Sequence, residues 1–137
     1  MTIVKRKLVH TEVMSIRWGD MDAMGHVNNT IYFRYMEQAR ICWFEAIGAR
    51  SAVKGQGPVI VNASCTFIKQ LVYPGEVEIK TYVGTIGRSS LETYLELRPS
   101  YDAAKIYAEG AAKVVWVDYA KEKSVPLPDA IRHLIEH

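Results

Sequence analysis

The chain has 137 residues, which favours a single domain over residues 1–137 that is long enough to bury a substantial core. Its 17 basic and 15 acidic residues leave a net charge of +2, too small to favour binding to nucleic acid. Two cysteines without metal-ligand spacing argue against a metal site and fit a reducing compartment. Because the sequence has neither a signal-peptide core nor an apolar run of membrane-spanning length, we expect a cytoplasmic protein that binds no membrane.

The first third of the chain is typical of a strand, a loop and a long helix. Residues 8–18 carry β-prone side chains, and residues 19–27 hold two acids and two glycines, which indicates a loop. Asn28 or Asn29 can cap the helix that follows, and Gly48 is a natural stop. The spacing predicts a helix of roughly 18 residues, about 27 Å long. Its apolar stripe comprises Ile31, Tyr32, Tyr35, Met36, Ala39, Trp43, Ala46 and Ile47.

Four segments with alternating apolar residues follow the helix. They cover residues 59–67, 77–83, 91–98 and 106–117. The connections between them are short, which favours antiparallel pairing. Gly110 is a candidate β-bulge in the last segment, and residues 126–136 predict a short terminal helix. This order predicts an α+β protein in which an antiparallel sheet of about five strands wraps around one long central helix, with exposed edges that favour a homo-oligomer.

The most informative stretch is DAMGHVNNTIY at residues 22–32. Asp22 precedes a helix start, where backbone N–H groups lack intrahelical partners and the helix dipole is positive. A carboxylate near such donors can attack a carbonyl carbon or activate water, while the N–H groups stabilise the developing oxyanion. The pattern therefore predicts hydrolysis of a carbonyl compound, with Asp22 as the reacting acid. Asp20 is the weaker candidate and is expected to shape the loop or pair with Arg17.

The residues around Asp22 have structural interpretations as well as functional ones. Gly25 allows a left-handed turn or the close approach of a ligand, and Asn28 is expected to fix the loop through side-chain hydrogen bonds. His26 can bond to the acid, to a substrate or to backbone, and the pattern does not choose among these. Tyr32, on the first helical turn, is expected to pack in the core, with the lining of an acyl pocket as the alternative.

Two further residues invite a catalytic interpretation that their surroundings weaken. Glu37 has Arg34 and Arg40 at helical spacings, which favours an ion-paired helix face over a catalytic acid. Cys65 lies mid-strand on an apolar face, which favours a buried and unreactive thiol.

The run RWGDMDAMGHVNNTIY at residues 17–32, continued by MEQAR at residues 36–40, resembles the hotdog-fold thioesterases, in the branch of 4-hydroxybenzoyl-CoA thioesterase and bacterial acyl-CoA thioesterases. Asp-x-Asp-x-x-Gly is similar to the hydroxybenzoyl-CoA enzymes. His-Val-Asn-Asn-x-x-Tyr is similar to long-chain acyl-CoA thioesterases and plant acyl-carrier-protein thioesterases. Two departures stand out: His26 replaces an apolar residue of the hydroxybenzoyl branch, and Met24 stands where the plant enzymes have Asn.

The resemblance implies a hotdog-fold acyl-CoA thioesterase that releases free acid and coenzyme A. It implies no metal and no cofactor, with coenzyme A entering only as part of the substrate. It assigns Asp22 as nucleophile or general base and the backbone N–H of Asn29 as the group that polarises the carbonyl. The expected substrate-binding residues are Gly25, His26, Asn28, Tyr32, Arg88, Ser89 and Ser90, the last three as a turn that binds coenzyme A phosphates.

The family builds its sites at subunit interfaces, so the resemblance also implies a homodimer or homotetramer. Two alternatives remain open. One is a thioesterase that acts on acyl-carrier protein, and the other is a non-catalytic hotdog module that binds acyl-CoA. Asp22 weighs against the second, because a binding module needs no acid beside the helix start.

Overall fold

A computed structural model describes residues 5–136 of the chain. The prediction of one domain over residues 1–137 stays a prediction, since residues 1–4 and 137 lie outside the described part. The elements in chain order are β1 (Lys7–Ile16), α1 (Asn29–Ala46), β2 (Gln56–Phe67), β3 (Gly75–Ile86), β4 (Ser90–Pro99), β5 (Ala108–Asp118), β6 (Lys123–Ser124) and α2 (Asp129–Glu136).

The strands form one sheet in the order β1-β3-β4-β5-β2, and β6 adds a short pairing at the end of β5. Every neighbouring pair is antiparallel. The sheet curls around α1, which packs against its inner face. This is the α+β hotdog arrangement that the sequence predicts, with one additional two-residue strand.

The inner face of the sheet and the buried stripe of α1 form the core. Every second side chain of β3 and β4 points to this face, as the alternating pattern predicts. On the helix, the predicted stripe is correct except at Ala46, which is exposed, while Phe44 is buried in its place. The buried helix residues are Tyr32, Tyr35, Met36, Ala39, Trp43 and Phe44.

The ends of the helices follow from the sequence. Asn28 caps α1, and Gly48 adopts φ +70° just beyond its end, a conformation that glycine adopts without strain. The terminal helix α2 begins at Asp129, three residues later than expected, and buries Ile131 and Ile135. Neither helix within residues 5–136 combines the length and the apolar character that crossing a membrane requires.

Two expectations about β2 and β5 are wrong. Gly110 is no bulge, because it continues regular ladders opposite Cys65 and Leu95. The irregularity lies instead in β2, between Ile60 and Asn62. The apolar alternation of β2 predicted a buried face, yet Val61 is 55% exposed, since β2 lies at the edge of the sheet where α1 covers little of it.

Candidate active site

A short backbone ladder joins the loop after β1 to the start of α1. Met21 and Val27 form an isolated antiparallel bridge, and the Asn28 N–H donates to the Asp20 carbonyl over 2.9 Å. Because Asn28 is the cap of α1, the ladder ends at the helix N-terminus. The segment that carries Asp22 is therefore tied to the helix start by backbone hydrogen bonds.

Asp22 begins a tight turn at the tip of this ladder. Its N–H donates to the His26 carbonyl over 2.9 Å, and the Gly25 N–H donates to the Asp22 carbonyl over 3.0 Å. Gly25 has φ +80°, the left-handed conformation that the sequence predicts. The Asp22 side chain is exposed and accepts the Met24 N–H through Oδ1 at 2.9 Å. Its Oδ2 bonds to no residue in the described range, so one carboxylate oxygen is available to a ligand.

Two asparagines at the start of α1 have different roles: Asn28 caps the helix, and Asn29 has a backbone N–H that is not hydrogen-bonded within residues 5–136. The Asn28 side chain accepts both the Thr30 N–H at 2.9 Å and the Thr30 hydroxyl at 2.7 Å, so Asn28 is the cap and fixes the loop as expected. Asn29 is the first helical residue and is exposed. Its N–H donates to no other residue between positions 5 and 136, and such a group carries the positive end of the helix dipole. It is thus an available donor.

Asp22 and Asn29 are both exposed on the described part of the chain. A cavity of about 570 Å³ lies on the other side of the loop, between β1 and α1, and takes in Asp20 and Tyr35 instead. Its lining is completed by Met14, Ser15, Arg17, Ile31, Arg34, Glu37 and Gln38.

Tyr32 packs in the core, as its helical position predicts. The side chain is 2% exposed, and its ring meets that of Phe67 edge-on at 5.0 Å between centroids. Its hydroxyl accepts the Leu71 N–H over 2.9 Å. Burial raises the pKa of Tyr32. A contact with an acyl group stays a prediction.

His26 is half-buried, and its imidazole makes no hydrogen bond to Asp22 or to another residue of the described chain. Only its backbone carbonyl is engaged, by the Asp22 N–H. Of the alternatives left open by the sequence, a bond to the acid is therefore not present in this structure, and a bond to substrate stays a prediction.

The turn Arg88–Ser90 lies at the other end of the sheet. β3 begins at Gly75, opposite Ile16, which directly precedes the Asp22 loop. The strand then runs for 12 residues before it reaches the turn, a length of roughly 35 Å. Within one chain, the structure does not bring this turn together with Asp22.

The backbone of the Arg88–Ser90 turn is held firmly. The carbonyl of Arg88 accepts the Leu127 N–H at 2.9 Å, and that of Ser89 accepts the Trp116 N–H at 2.7 Å. Arg132 of α2 donates to the Gly87 carbonyl at 2.7 Å. The Arg88 side chain remains exposed. The turn therefore presents its guanidinium from a restrained backbone.

Asp20 shapes the loop, in agreement with the sequence analysis. Its Oδ2 accepts the Arg17 N–H at 2.9 Å and the Tyr35 hydroxyl at 2.6 Å. Tyr35 was expected only as part of the apolar stripe. Burial and the Asp20 carboxylate raise the pKa of Tyr35 far above its ordinary value, so this hydroxyl stays a donor. A buried tyrosine needs a partner for its hydroxyl, so the sequence indicates that Tyr35 has a partner but does not identify it as Asp20.

The two other catalytic candidates, Glu37 and Cys65, lie in surroundings that favour structural roles. Glu37 pairs with Arg34 at 3.2 Å on the exposed side of α1. Cys65 packs against the core, and burial raises the pKa of its thiol to about 11. No group of three or more His, Cys, Asp or Glu residues in the range 5–136 is spaced to hold a metal ion.

Residues 16–135 match the model of the thioesterase-like superfamily. The match spans most of the chain, and the chain belongs to this superfamily. Membership supports thioester hydrolysis as the general activity.

Similar proteins agree with this family. A solved structure of a provisionally assigned thioesterase from Pseudomonas aeruginosa is 43% identical, covers 94% of this chain and 99% of its own, and superposes with a TM-score of 0.88. A provisionally assigned acyl-CoA thioesterase from Xanthomonas campestris is 28% identical, with 90% of this chain and 100% of its own covered and a TM-score of 0.76. The uncharacterized protein YsmA of Bacillus subtilis is 29% identical over 118 residues, 80% of each chain.

Proposed function

We propose that this protein hydrolyses an acyl-CoA thioester to a free acid and coenzyme A. Asp22 is the reacting acid, and the Asn29 N–H polarises the thioester carbonyl. The observation that most directly supports this is the backbone ladder between the Asp22 segment and the start of α1. Within residues 5–136 it leaves Asp22 Oδ2 and the Asn29 N–H without hydrogen-bond partners. One preorganised donor of this kind typically contributes a factor of roughly 10²–10³ in rate.

Two balanced routes lead to the same products. As a nucleophile, the Asp22 carboxylate attacks the thioester carbon, the C–S bond breaks, and the thiolate leaves and takes a proton from solvent. Water then cleaves the acyl-aspartyl anhydride. As a general base, Asp22 removes a proton from water as that water attacks, and the proton passes to the departing thiolate. In both routes the Asn29 N–H stabilises the negative charge on the carbonyl oxygen.

We also propose that the complete site uses two subunits. Asp22 and Asn29 are exposed in the single chain, and the turn that is similar to the coenzyme A phosphate site of the family lies at the far end of the sheet. The second surface would come from a copy that pairs through the open edge of β2. Ile60, Val61, Phe67 and Ile68, here called the β2 patch, are exposed apolar residues at this edge.

The experiment that tests the proposal measures free thiol released from a panel of acyl-CoA substrates with short, medium, long and aromatic acyl groups. Asp22→Asn should lower kcat by at least about a hundredfold. Asp118→Asn is the matched control, because Asp118 also accepts a nearby backbone N–H, from Lys121 at 3.0 Å, and lies away from the loop. Full activity in Asp22→Asn would show that Asp22 is not the reacting acid.

The same assay separates the two alternatives. An acyl-carrier-protein thioesterase would cleave the acyl-carrier protein at a much higher kcat/KM than the coenzyme A ester of the same acyl group. A non-catalytic module would bind acyl-CoA in a titration and release no thiol from any member of the panel.

Arg88→Ala should raise KM for coenzyme A esters severalfold and leave kcat nearly unchanged, because the guanidinium would contact phosphate and not the reacting carbonyl.

A further inference from the structure

Two tyrosines one helical turn apart fasten the loop between β1 and α1 to the helix. The Tyr35 hydroxyl donates to Asp20 Oδ2 at 2.6 Å. The Tyr32 hydroxyl accepts the Leu71 N–H at 2.9 Å, and the Leu71 carbonyl in turn accepts the Val27 N–H at 2.9 Å. Asp20 and Val27 lie on opposite strands of the loop ladder. Each strand is therefore linked separately to the same face of α1.

The Tyr32–Leu71 bond is buried, and the Tyr35–Asp20 bond is partly buried. Tyr35 is 6% exposed and Leu71 is fully buried. Asp20 joins two points of the loop to α1. Its side chain accepts the Arg17 N–H at 2.9 Å together with the Tyr35 hydroxyl of the helix, and its carbonyl accepts the Asn28 N–H at 2.9 Å. Buried hydrogen bonds of this kind restrict the backbone more than exposed ones.

The bond to Asn28 matters because the next residue carries the proposed oxyanion donor. A reacting group has to be held within about half an ångström of its productive position, and a misplacement of about 1 Å can lower the rate a hundredfold. We infer that Tyr35 and Asp20 are positioning residues, which hold the Asp22 turn and the Asn29 N–H in register with each other. This inference rests on the proposed function.

Because of this geometry, an Asp20→Asn variant can distinguish a positioning role of Asp20 from a catalytic one. Both hydrogen bonds to its side chain use the same oxygen, Oδ2. An asparagine amide oxygen can accept both of them, although it carries no full charge and cannot act as a nucleophile or base. Asp20→Asn should therefore keep kcat within about threefold of the wild type, while Asp20→Ala should lower it at least tenfold. Loss of turnover in Asp20→Asn to the level of Asp22→Asn would assign Asp20 to the chemistry and overturn the inference.

Tyr35→Phe tests the helix side of the same link. The expected result is a kcat lowered by 10- to 100-fold with KM within twofold, because binding surfaces remain while the alignment is lost. Tyr82→Phe is the matched control, since the Tyr82 hydroxyl donates to the Glu96 carboxylate at 3.0 Å on the outer face of the sheet. Its kcat should stay within twofold. A Tyr35→Phe variant with wild-type kcat would overturn the inference.

Amide hydrogen exchange provides a readout that does not depend on activity. The N–H groups of Asn28 and Met24 should exchange at least about tenfold faster in Tyr35→Phe and remain unchanged in Tyr82→Phe, because exchange reports local opening. If the wild type releases no thiol from any ester, the proposed function fails and the exchange rates alone decide whether the link orders the loop. Unchanged exchange in Tyr35→Phe would refute it.

Discussion

The sulfur of Met36, on α1, lies directly against Gly110, on β5. A Cβ at Gly110 would overlap this sulfur. Met36 is almost fully buried, so its side chain has little room to move aside. The glycine near the start of β5 therefore permits the close approach of the Met36 side chain, and the ladder at Gly110 opposite Leu95 stays regular.

Gly110→Ala should lower the free energy of unfolding by about 1–3 kcal/mol, the usual effect of overpacking a core. Urea unfolding measures it, with Gly19→Ala as the control because a Cβ there meets nothing within 4 Å. The double variant Met36→Ala/Gly110→Ala should lose less free energy of unfolding than the sum of the losses in the two single variants, since the removed sulfur opens space for the new methyl group. Strict additivity would contradict the contact.

Much of the fold follows from local pattern. The 3.6-residue spacing of α1 and the alternation of β3 and β4 predict these elements because each buries one face against the other. The errors arise at positions where burial depends on contacts with residues distant in sequence. Ala46 fits the apolar spacing, yet it is exposed, and Phe44 packs instead in a core cluster with residues of the sheet. Val61 has the pattern of a buried strand, but the described part of the chain leaves it 55% exposed.

In the candidate site, too, local features can be predicted from the sequence and long-range contacts cannot. The turn at Asp22 and Gly25 and the cap at Asn28 are set by residues close in sequence, so their backbone geometry is predictable from the motif. The bond between Asp20 and Tyr35 joins residues 15 apart and depends on how α1 packs against the loop. Local pattern cannot reveal such a contact.

The cap and the oxyanion donor can be separated by two alanine changes. Asn28→Ala removes the acceptor for Thr30 and should lower the free energy of unfolding by about 0.5–2 kcal/mol. Asn29→Ala keeps the backbone N–H and should leave both stability and kcat nearly unchanged. Thermal melts and thiol-release kinetics check both. A hundredfold loss of kcat in Asn29→Ala would mean that its side chain, and not its amide, contacts the substrate.

Tyr32→Phe should be more destabilising than an ordinary loss of a hydroxyl. It leaves the buried Leu71 N–H without an acceptor, which costs about 1–3 kcal/mol. Tyr119→Phe is the control, because the exposed Tyr119 hydroxyl donates to the Pro58 carbonyl at 3.1 Å and its loss should change stability by no more than about 0.5 kcal/mol. Equal melting temperatures for the two variants would argue that water satisfies the Leu71 N–H.

Stability should fall with pH on the alkaline side. Burial raises the pKa of Cys65 from about 9 to about 11, so the thiol ionises more readily in the unfolded chain. The stability that this group contributes is fully present below about pH 9 and is lost as pH rises toward 11. Urea unfolding between pH 7 and 11 measures the slope, and Cys65→Ala should flatten it over the range where the thiol titrates. An identical slope in the variant would refute the assignment to Cys65.

The proposed subunit contact can be tested at matched positions on the two edges of the sheet. Val61 on β2 and Val13 on β1 are 55% and 54% exposed, respectively. A lysine at the open edge of a strand opposes pairing with another strand. Val61→Lys should therefore reduce the mass measured by light scattering toward that of one chain, and Val13→Lys should not. Because the site is proposed to need both subunits, kcat/KM should fall together with the mass in Val61→Lys. If the mass falls while activity persists, the single chain covers its substrate without a partner; if Val13→Lys alone dissociates the protein, the contact runs through β1.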